Sequence, residues 1–217
     1  MRLGDVPCLA RCGRHIVATV TLDTPAVDNP LGLFDAHNDV GTPAMAGDAA
    51  YDASTGIYTL TGAGVNMWDA HDEFQFLWTR VAGDFVMEAH VSLAGLCQEK
   101  HRKAGCMARS TADPDSAYAD AAIHGDGLTA LQFRRHAGGI TEHATLPVKG
   151  ANTIRFARRG HTFRFQAVGP DEPFVEVSVT DVVLADAIYV GLFVCSHHAL
   201  TLEQATFRNV SLQHTRP

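Results

Sequence analysis

The sequence has no long apolar run and no excess of basic residues, and each absence excludes a class of protein. No segment approaches the about 18 consecutive apolar residues expected of a membrane-spanning helix, so we expect no membrane partner. Lys and Arg number 17 against 24 Asp and Glu, which gives a net charge of −7. Because binding to nucleic acid depends on a basic surface, we expect no nucleic-acid partner either.

The cysteines also lack the pattern of a disulfide framework, because they are odd in number and widely spaced. They are Cys8, Cys12, Cys97, Cys106 and Cys195. Cys8 and Cys12 have a zinc-like spacing, but no second pair follows them. Residues 1–14 are expected to be irregular and contain no apolar run of signal-peptide length. These features predict a reduced, cytoplasmic protein.

No stretch shows apolar residues at helical spacing over three turns. Strand-like runs bounded by turn residues recur instead, at intervals close to the roughly 8–12 residues typical of all-β sandwiches and barrels. Phe74, Phe76 and Trp78 form one apolar face, and the run from Phe85 to Val91 forms another beyond a turn at residues 82–84, which predicts a hairpin. We find no linker or repeat, so residues 1–217 are predicted to form a single all-β domain with antiparallel sheets.

The densest polar segment, residues 101–135, predicts three adjacent strands at residues 103–110, 117–124 and 128–135. An Asp-Gly turn at Gly125–Gly127 joins the last two, since Asp-Gly favours the positive φ angles of tight hairpins. Alternation along each strand places side chains on two faces. One face would display the polar side chains of Lys103, Arg109, Tyr118, Asp120 and His124. This face is either a binding surface or a solvated exterior.

Several motifs resemble a known family. They are GIYTLTGAGVNMW at residues 56–68, DEFQFLW at 72–78, HRKAG at 101–105, YADAAIHGDGLTALQFRR at 118–135 and YVGLFVCSH at 189–197. The chain resembles, from about Leu31 to Leu212, the bacterial family of concanavalin A-like domains of unknown function. That family includes the fungal regulation-of-enolase proteins and also occurs fused to TolB-like propellers. The resemblance implies a two-sheet antiparallel jelly-roll sandwich of the lectin and glucanase type, with sugar bound on a concave sheet.

Sugar recognition uses aromatic faces and planar hydrogen-bonding side chains on one surface. The candidate ligand-binding residues are Trp68, His71, Lys103, Arg109, Tyr118, Asp120, His124, Gln132 and Arg134. Trp68 is a candidate for the lip of a groove, whereas Trp78 is predicted to be a core residue because it alternates with Phe74 and Phe76.

The sequence supports catalysis less strongly than it supports sugar binding. Retaining glycosidases need two carboxylates about 5–5.5 Å apart, and the E-x-D-x-x-E pattern of laminarinase-type sandwiches is missing. The remaining candidate catalytic residues are His124, Asp120, Tyr118 and Glu88. Glu88 could act with His90, or both could belong to an outward polar face. Tyr118 and His124 could serve a lyase if Arg109 neutralised a uronate beside them.

No cofactor motif occurs, and His and Asp residues near predicted strand ends, His197 among them, lack zinc spacing. The loop predicted at Phe34–Gly41 is a candidate for a structural calcium ion. We therefore expect a protein that binds a saccharide or a sugar derivative. The alternatives are a carbohydrate-active enzyme, either a glycoside hydrolase or a polysaccharide lyase, and a protein-interaction or regulatory module. Exposed sheet edges would also allow a homodimer.

Overall fold

A computed structural model describes residues 20–23, 29–169 and 173–215, and this part of the chain contains fifteen β-strands. None of its segments forms a helix that could cross a membrane. The strands are β1 (Val20–Asp23), β2 (Ala36–Val40), β3 (Asp48–Asp52), β4 (Ile57–Gly64), β5 (Phe74–Ala82), β6 (Phe85–Leu93), β7 (Lys103–Arg109), β8 (Tyr118–His124), β9 (Thr129–Arg134), β10 (Glu142–Thr145), β11 (Thr153–Arg159), β12 (Thr162–Val168), β13 (Val175–Val179), β14 (Ala187–Cys195) and β15 (His198–Thr215).

The strands form two antiparallel sheets. The eight-stranded sheet has the order β13-β12-β11-β6-β15-β4-β3, with β1 paired to β15. The seven-stranded sheet has the order β10-β9-β8-β7-β14-β5-β2. This architecture confirms the all-β, two-sheet antiparallel jelly-roll sandwich predicted from the sequence.

The main core lies between the two sheets. Phe85, Phe156 and Phe163 from the eight-stranded sheet meet Leu192 and Leu131 from the seven-stranded one, and all five are buried. Burial of each such side chain stabilises the fold by roughly 1.5–3 kcal/mol relative to exposure. The alternation of apolar residues along these strands therefore determines which face of each sheet turns inward.

The predicted hairpin between residues 74 and 91 is not formed. β5 belongs to the seven-stranded sheet and β6 to the eight-stranded one, so the turn at Gly83 carries the chain from one sheet to the other. Phe74 and Phe76 consequently face away from the main core. Alternation identified the core-facing side of β6, which includes Phe85 and Met87. On β5 it selected Phe74, Phe76 and Trp78, but Leu77 and Val81 are the residues that face the main core. Trp78 was predicted to be a core residue and is only half-buried, on the opposite side of the sheet.

The polar segment forms the neighbouring strands β7, β8 and β9. Each end of these strands lies at the predicted residue or one residue away from it. Lys103 pairs with His124, and Asp120 pairs with Gln132. The predicted neighbours therefore lie side by side on the face of the seven-stranded sheet that points away from the main core, here called the outer face. Residues 1–14, with Cys8 and Cys12, lie outside the described residues.

Candidate ligand-binding site

A second apolar cluster covers part of the outer face. Val40, Phe74, Phe76 and Phe193 belong to it, and all four are fully buried. Strands of a sandwich usually leave this face open to water, so another part of the chain must cover the cluster. Residues 65–73, here called the strap, provide this cover, and Met67 from the strap is completely buried in the cluster.

Asp72 fastens the strap to the sheet through two arginines. Its carboxylate accepts two hydrogen bonds from the Arg134 guanidinium, at 2.7 and 3.0 Å, and lies 3.4 Å from Nη1 of Arg109. All three side chains have zero exposure. Bidentate charge-assisted hydrogen bonds of this kind are among the strongest in proteins.

Backbone groups of the loops complete the attachment. Arg134 also donates to the carbonyl oxygen of Asp69 in the strap, and Arg109 donates to that of Thr111 at 2.7 Å. The Tyr118 hydroxyl donates to the carbonyl oxygen of Met67 at 2.7 Å. The structure therefore places Arg109, Tyr118 and Arg134 beneath the strap, and it does not bring these three candidates to an open groove. Their polar groups bind the protein itself.

Next to the strap, the outer face has a cavity of about 320 Å³. It is lined by Asn66, Trp68, His101, Lys103, His124, Leu128, Gln132, His143 and His197. Four of the residues predicted to bind ligand, Trp68, Lys103, His124 and Gln132, are thus brought together. Its size lies near the lower end of the roughly 300–1,000 Å³ found for small-molecule sites.

A row of small residues lies across the floor of the sheet here. Gly105 on β7, Ala122 on β8 and Ala130 on β9 are register neighbours. The paired residues Lys103 and His124 lie on one side of these small residues. The paired residues Asp120 and Gln132 lie on the other side. Glycine is required at position 105, because a Cβ there would lie 1.9 Å from the carbonyl oxygen of Ala121.

His124 and Gln132 leave two polar atoms without a partner. Nε2 of Gln132 lies 3.5 Å from Nε2 of His124, whereas Nδ1 of His124 and Oε1 of Gln132 make no hydrogen bond. Burial, followed by the nearby charge of Lys103, lowers the pKa of His124 to about 3, so its ring is neutral at pH 7. A neutral ring that accepts at Nε2 carries its proton on Nδ1. The pair therefore retains one free donor and one free acceptor.

Asp120, which pairs with Gln132 on the outer face, is fully buried, and its carboxyl oxygens make no hydrogen bond beyond a weak interaction with the backbone of Gln132. Burial raises its pKa well above the ordinary value of 3.8, and the charge of Lys103 opposes that shift. Because a buried carboxylate without a close partner is costly, burial favours the acid form, whereas the nearby charge of Lys103 favours the carboxylate. Asp120 is therefore a second buried group with unused hydrogen-bonding capacity.

Aromatic rings flank the mouth of the cavity. The rings of Trp68 and His143 lie 5.2 Å apart, and those of His101 and His197 lie 5.3 Å apart. His197 follows β14 with a φ of 57°. A non-glycine residue in this left-handed region is strained, and such strain clusters at functional sites. The backbone at the end of β14 thus sets the position of this ring beside the cavity.

The remaining candidates lie elsewhere. His71 is exposed on the strap and does not line the cavity. Glu88 lies on the eight-stranded sheet, where it forms an ion pair with Arg155 at 3.2 Å. Trp78 is half-buried against the second apolar cluster, and its indole N–H donates to Oδ1 of Asn38 at 2.7 Å.

The segment considered for calcium, residues 34–41, includes the five-residue strand β2. The carboxylate of Asp39 accepts hydrogen bonds from the backbone N–H of Gly47, and that of Asp35 accepts one from Thr79 at 2.7 Å. Within the described ranges, no group of three His, Cys, Asp or Glu residues is arranged to hold a metal ion.

Four residues that line the cavity were not among the predicted ligand-binding residues, namely Asn66, His101, Leu128 and His143, and His197 was a candidate only as a metal ligand. His101 and His197 each lie next to the end of a strand, and the ends of β7 and β14 meet because these strands pair. Their position beside strand ends was therefore an available signal. His143 lies on a short edge strand that the sequence marks only weakly.

The strand order and the placement of the cavity define a lectin-type jelly-roll sandwich with a candidate site on its seven-stranded sheet. No family model matches the sequence, and no curated protein matches it. Solved structures share the fold. A functionally unknown protein from Saccharomyces cerevisiae is 19% identical, with a TM-score of 0.61, and the match covers 83% of this chain and 97% of that one.

Two sugar-binding structures are also similar. Lectin II from Ulex europaeus is 8% identical with a TM-score of 0.57, over 92% of this chain and 99% of that one. The carbohydrate-binding module CBM66 from Bacillus subtilis is 17% identical with a TM-score of 0.52, over 83% of this chain and 97% of that one. At these identities the likeness establishes the fold alone.

Proposed function

We propose that the cavity beside the strap binds a saccharide or a sugar derivative. One observation carries the proposal: buried groups at this place on the sheet keep unused hydrogen-bonding capacity. Nδ1 of His124 and Oε1 of Gln132, two residues that line the cavity, lack partners. Because a buried polar atom without a partner costs about 1–3 kcal/mol, a ligand that supplies partners recovers that free energy.

Sugar hydroxyls match this arrangement, since each hydroxyl both donates and accepts a hydrogen bond. The free N–H of His124 and the free carbonyl of Gln132 offer one of each. Trp68 supplies an apolar ring face at the mouth, which suits the C–H face of a pyranose. The structural likeness to a lectin and to a carbohydrate-binding module supports the same class of ligand.

The enzyme alternatives have less support. None of the cavity-lining residues is Asp or Glu, so the pair of carboxylates that glycoside hydrolysis uses is missing from the lining. The lyase arrangement needs Tyr118 and Arg109 beside the ligand, but both have zero exposure and bind the strap and neighbouring loop instead. Binding without catalysis is therefore the function that the site supports best.

Calorimetric titration with a panel of mono- and disaccharides tests this proposal. We expect Trp68→Ala and Gln132→Ala to weaken binding by about tenfold or more, which corresponds to roughly 1.4 kcal/mol. His161→Ala is the matched control, because His161 is exposed at the turn between β11 and β12, remote from the cavity. If no saccharide binds at millimolar concentration, the proposal is wrong.

We also propose membership of the concanavalin A-like family that the motifs resemble, and a cytoplasmic location. Residues 56–68 and 118–135 carry much of that resemblance, and they include Trp68, His124 and Gln132 of the cavity. Cys97, Cys106 and Cys195 are free and buried, which suits a reducing compartment. Alignment of related chains at the cavity residues tests the first proposal, and fractionation of the source cells tests the second.

A further inference from the structure

Lys103 differs from the other buried cationic side chains. Four lysine or arginine side chains are buried in the described part of the chain: Lys103, Arg109, Arg134 and Arg158. The arginines all have oxygen partners, either Asp72 or backbone carbonyls such as that of Gly160. Lys103 has an exposure of only 2%, lines the cavity, and forms no hydrogen bond or ion pair with any described residue.

A cationic side chain that lies almost wholly within the protein and has no hydrogen bond or ion pair is stabilised when an oppositely charged group reaches it. Such a group is retained at a binding site when the ligand itself supplies the opposite charge. An anionic oxygen that reaches the Lys103 ammonium would form a charge-assisted hydrogen bond, which is about twice as strong as a neutral one.

The rest of the lining is compatible with an anion. It contains no carboxylate, and His101, His143 and His197 lie around its mouth. Asp120, which pairs with Gln132 in the sheet and does not line the cavity, is fully buried, and burial raises its pKa while the charge of Lys103 lowers it. No carboxylate therefore lines the wall beside Lys103, and the nearest acidic charges are those of Asp126, which acts on His124, and Glu99, which acts on His197.

We propose that the cavity selects an anionic saccharide, one whose ring bears a carboxylate, phosphate or sulfate group that Lys103 binds. The inference rests on the saccharide-binding function proposed above and specifies the class of ligand. The three anionic groups share the chemistry that the ammonium recognises, namely a charged oxygen within hydrogen-bonding reach.

Titration calorimetry on the whole chain distinguishes these ligands. The arms are the methyl glycosides of glucose, galactose and mannose, the corresponding uronic acids, the methyl esters of those acids, and the 6-phosphates and 6-sulfates of the same sugars. The esters keep the shape of the uronic acids but lack their charge. We expect at least one charged series to bind roughly tenfold to a hundredfold more tightly than its neutral counterparts. Lys103→Met, with a side chain of similar length, should abolish that difference.

The outcomes separate the two proposals. If neutral and charged sugars bind equally well, or if Lys103→Met keeps the preference for charge, this inference fails while saccharide binding stands. If free phosphate or sulfate binds as tightly as the charged sugars, the sugar contributes nothing and the saccharide function is overturned. If no sugar binds, both proposals fail. Lys103→Gln provides a second neutral variant, and thermal unfolding of both variants verifies that they are folded.

Discussion

Substitution of Asp72 by Asn tests the role of the strap most directly. The change removes the one carboxylate that both Arg109 and Arg134 contact, at 3.4 and 2.7 Å, and it leaves two guanidinium groups at zero exposure without their counter-ion. Removal of one partner from a buried ion pair costs about 3–5 kcal/mol. For a domain of this size, 1 kcal/mol corresponds to about 2–4 °C, so we expect the melting temperature to fall by about 6–20 °C.

Urea titration followed by intrinsic fluorescence, together with calorimetry, measures both quantities. Asp69→Asn is the matched control, because Asp69 lies on the same strap but its side chain is exposed and only its carbonyl oxygen is used. The control should change the free energy of unfolding by less than about 0.5 kcal/mol. A loss below about 1 kcal/mol for Asp72→Asn would refute the view that this carboxylate fastens the strap.

Three further predictions concern the floor of the cavity. Folding depresses the pKa of His124 to about 3, so its contribution to stability is present above the unfolded value of 6.5 and is lost as the pH falls from 6.5 toward 3. Urea titrations at pH 7.5 and 4.5 should show that the wild type loses about 2 kcal/mol more than His124→Gln over this range. Asp120 has the opposite sign: its pKa is raised, so its contribution is present below 3.8 and is lost as the pH rises. The stability of Asp120→Asn relative to the wild type should therefore increase from pH 4 to pH 7. If the variant melts at the same temperature as the wild type at pH 7, or at a lower one, the raised pKa of Asp120 is contradicted. Gly105→Ala should destabilise the protein by about 2–3 kcal/mol, because the new Cβ would lie 1.9 Å from the carbonyl oxygen of Ala121. Gly56→Ala is the comparison variant, since nothing lies within 4 Å of its new Cβ and φ is +70°. That variant measures the cost of backbone strain alone.

Local pattern predicted much of the fold. The period-two alternation and the Asp-Gly turn placed β7, β8 and β9 next to one another and put Lys103 beside His124 on one face. These features depend on interactions between residues that are close in sequence, so a single chain reveals them. The same alternation could not show which sheet β5 and β6 join, because the turn at Gly83 is compatible with a hairpin and with a passage between sheets.

The strap could not be predicted in the same way. Its position depends on contacts between Asp72 and Arg134, which are 62 positions apart, and on Tyr118, which bonds to Met67 51 positions away. Arg109, Tyr118 and Arg134 were therefore predicted to lie on an open face, although all three are buried. One signal was available: Phe74 and Phe76 alternate with the core residue Leu77, so both faces of β5 are apolar. An outer strand face that is apolar requires cover.

The strap also has a consequence for the geometry of entry. By burying Met107, Tyr118 and Phe193 in the middle of the outer face, it interrupts any path along which a long polymer could lie across the seven-stranded sheet. The cavity is therefore closed on the side of the strap and accessible from the other. We expect it to accept chain ends and free monosaccharides rather than internal units. For a polysaccharide of fixed mass, the amount bound should then rise with the number of chain termini and fall as the chains become longer.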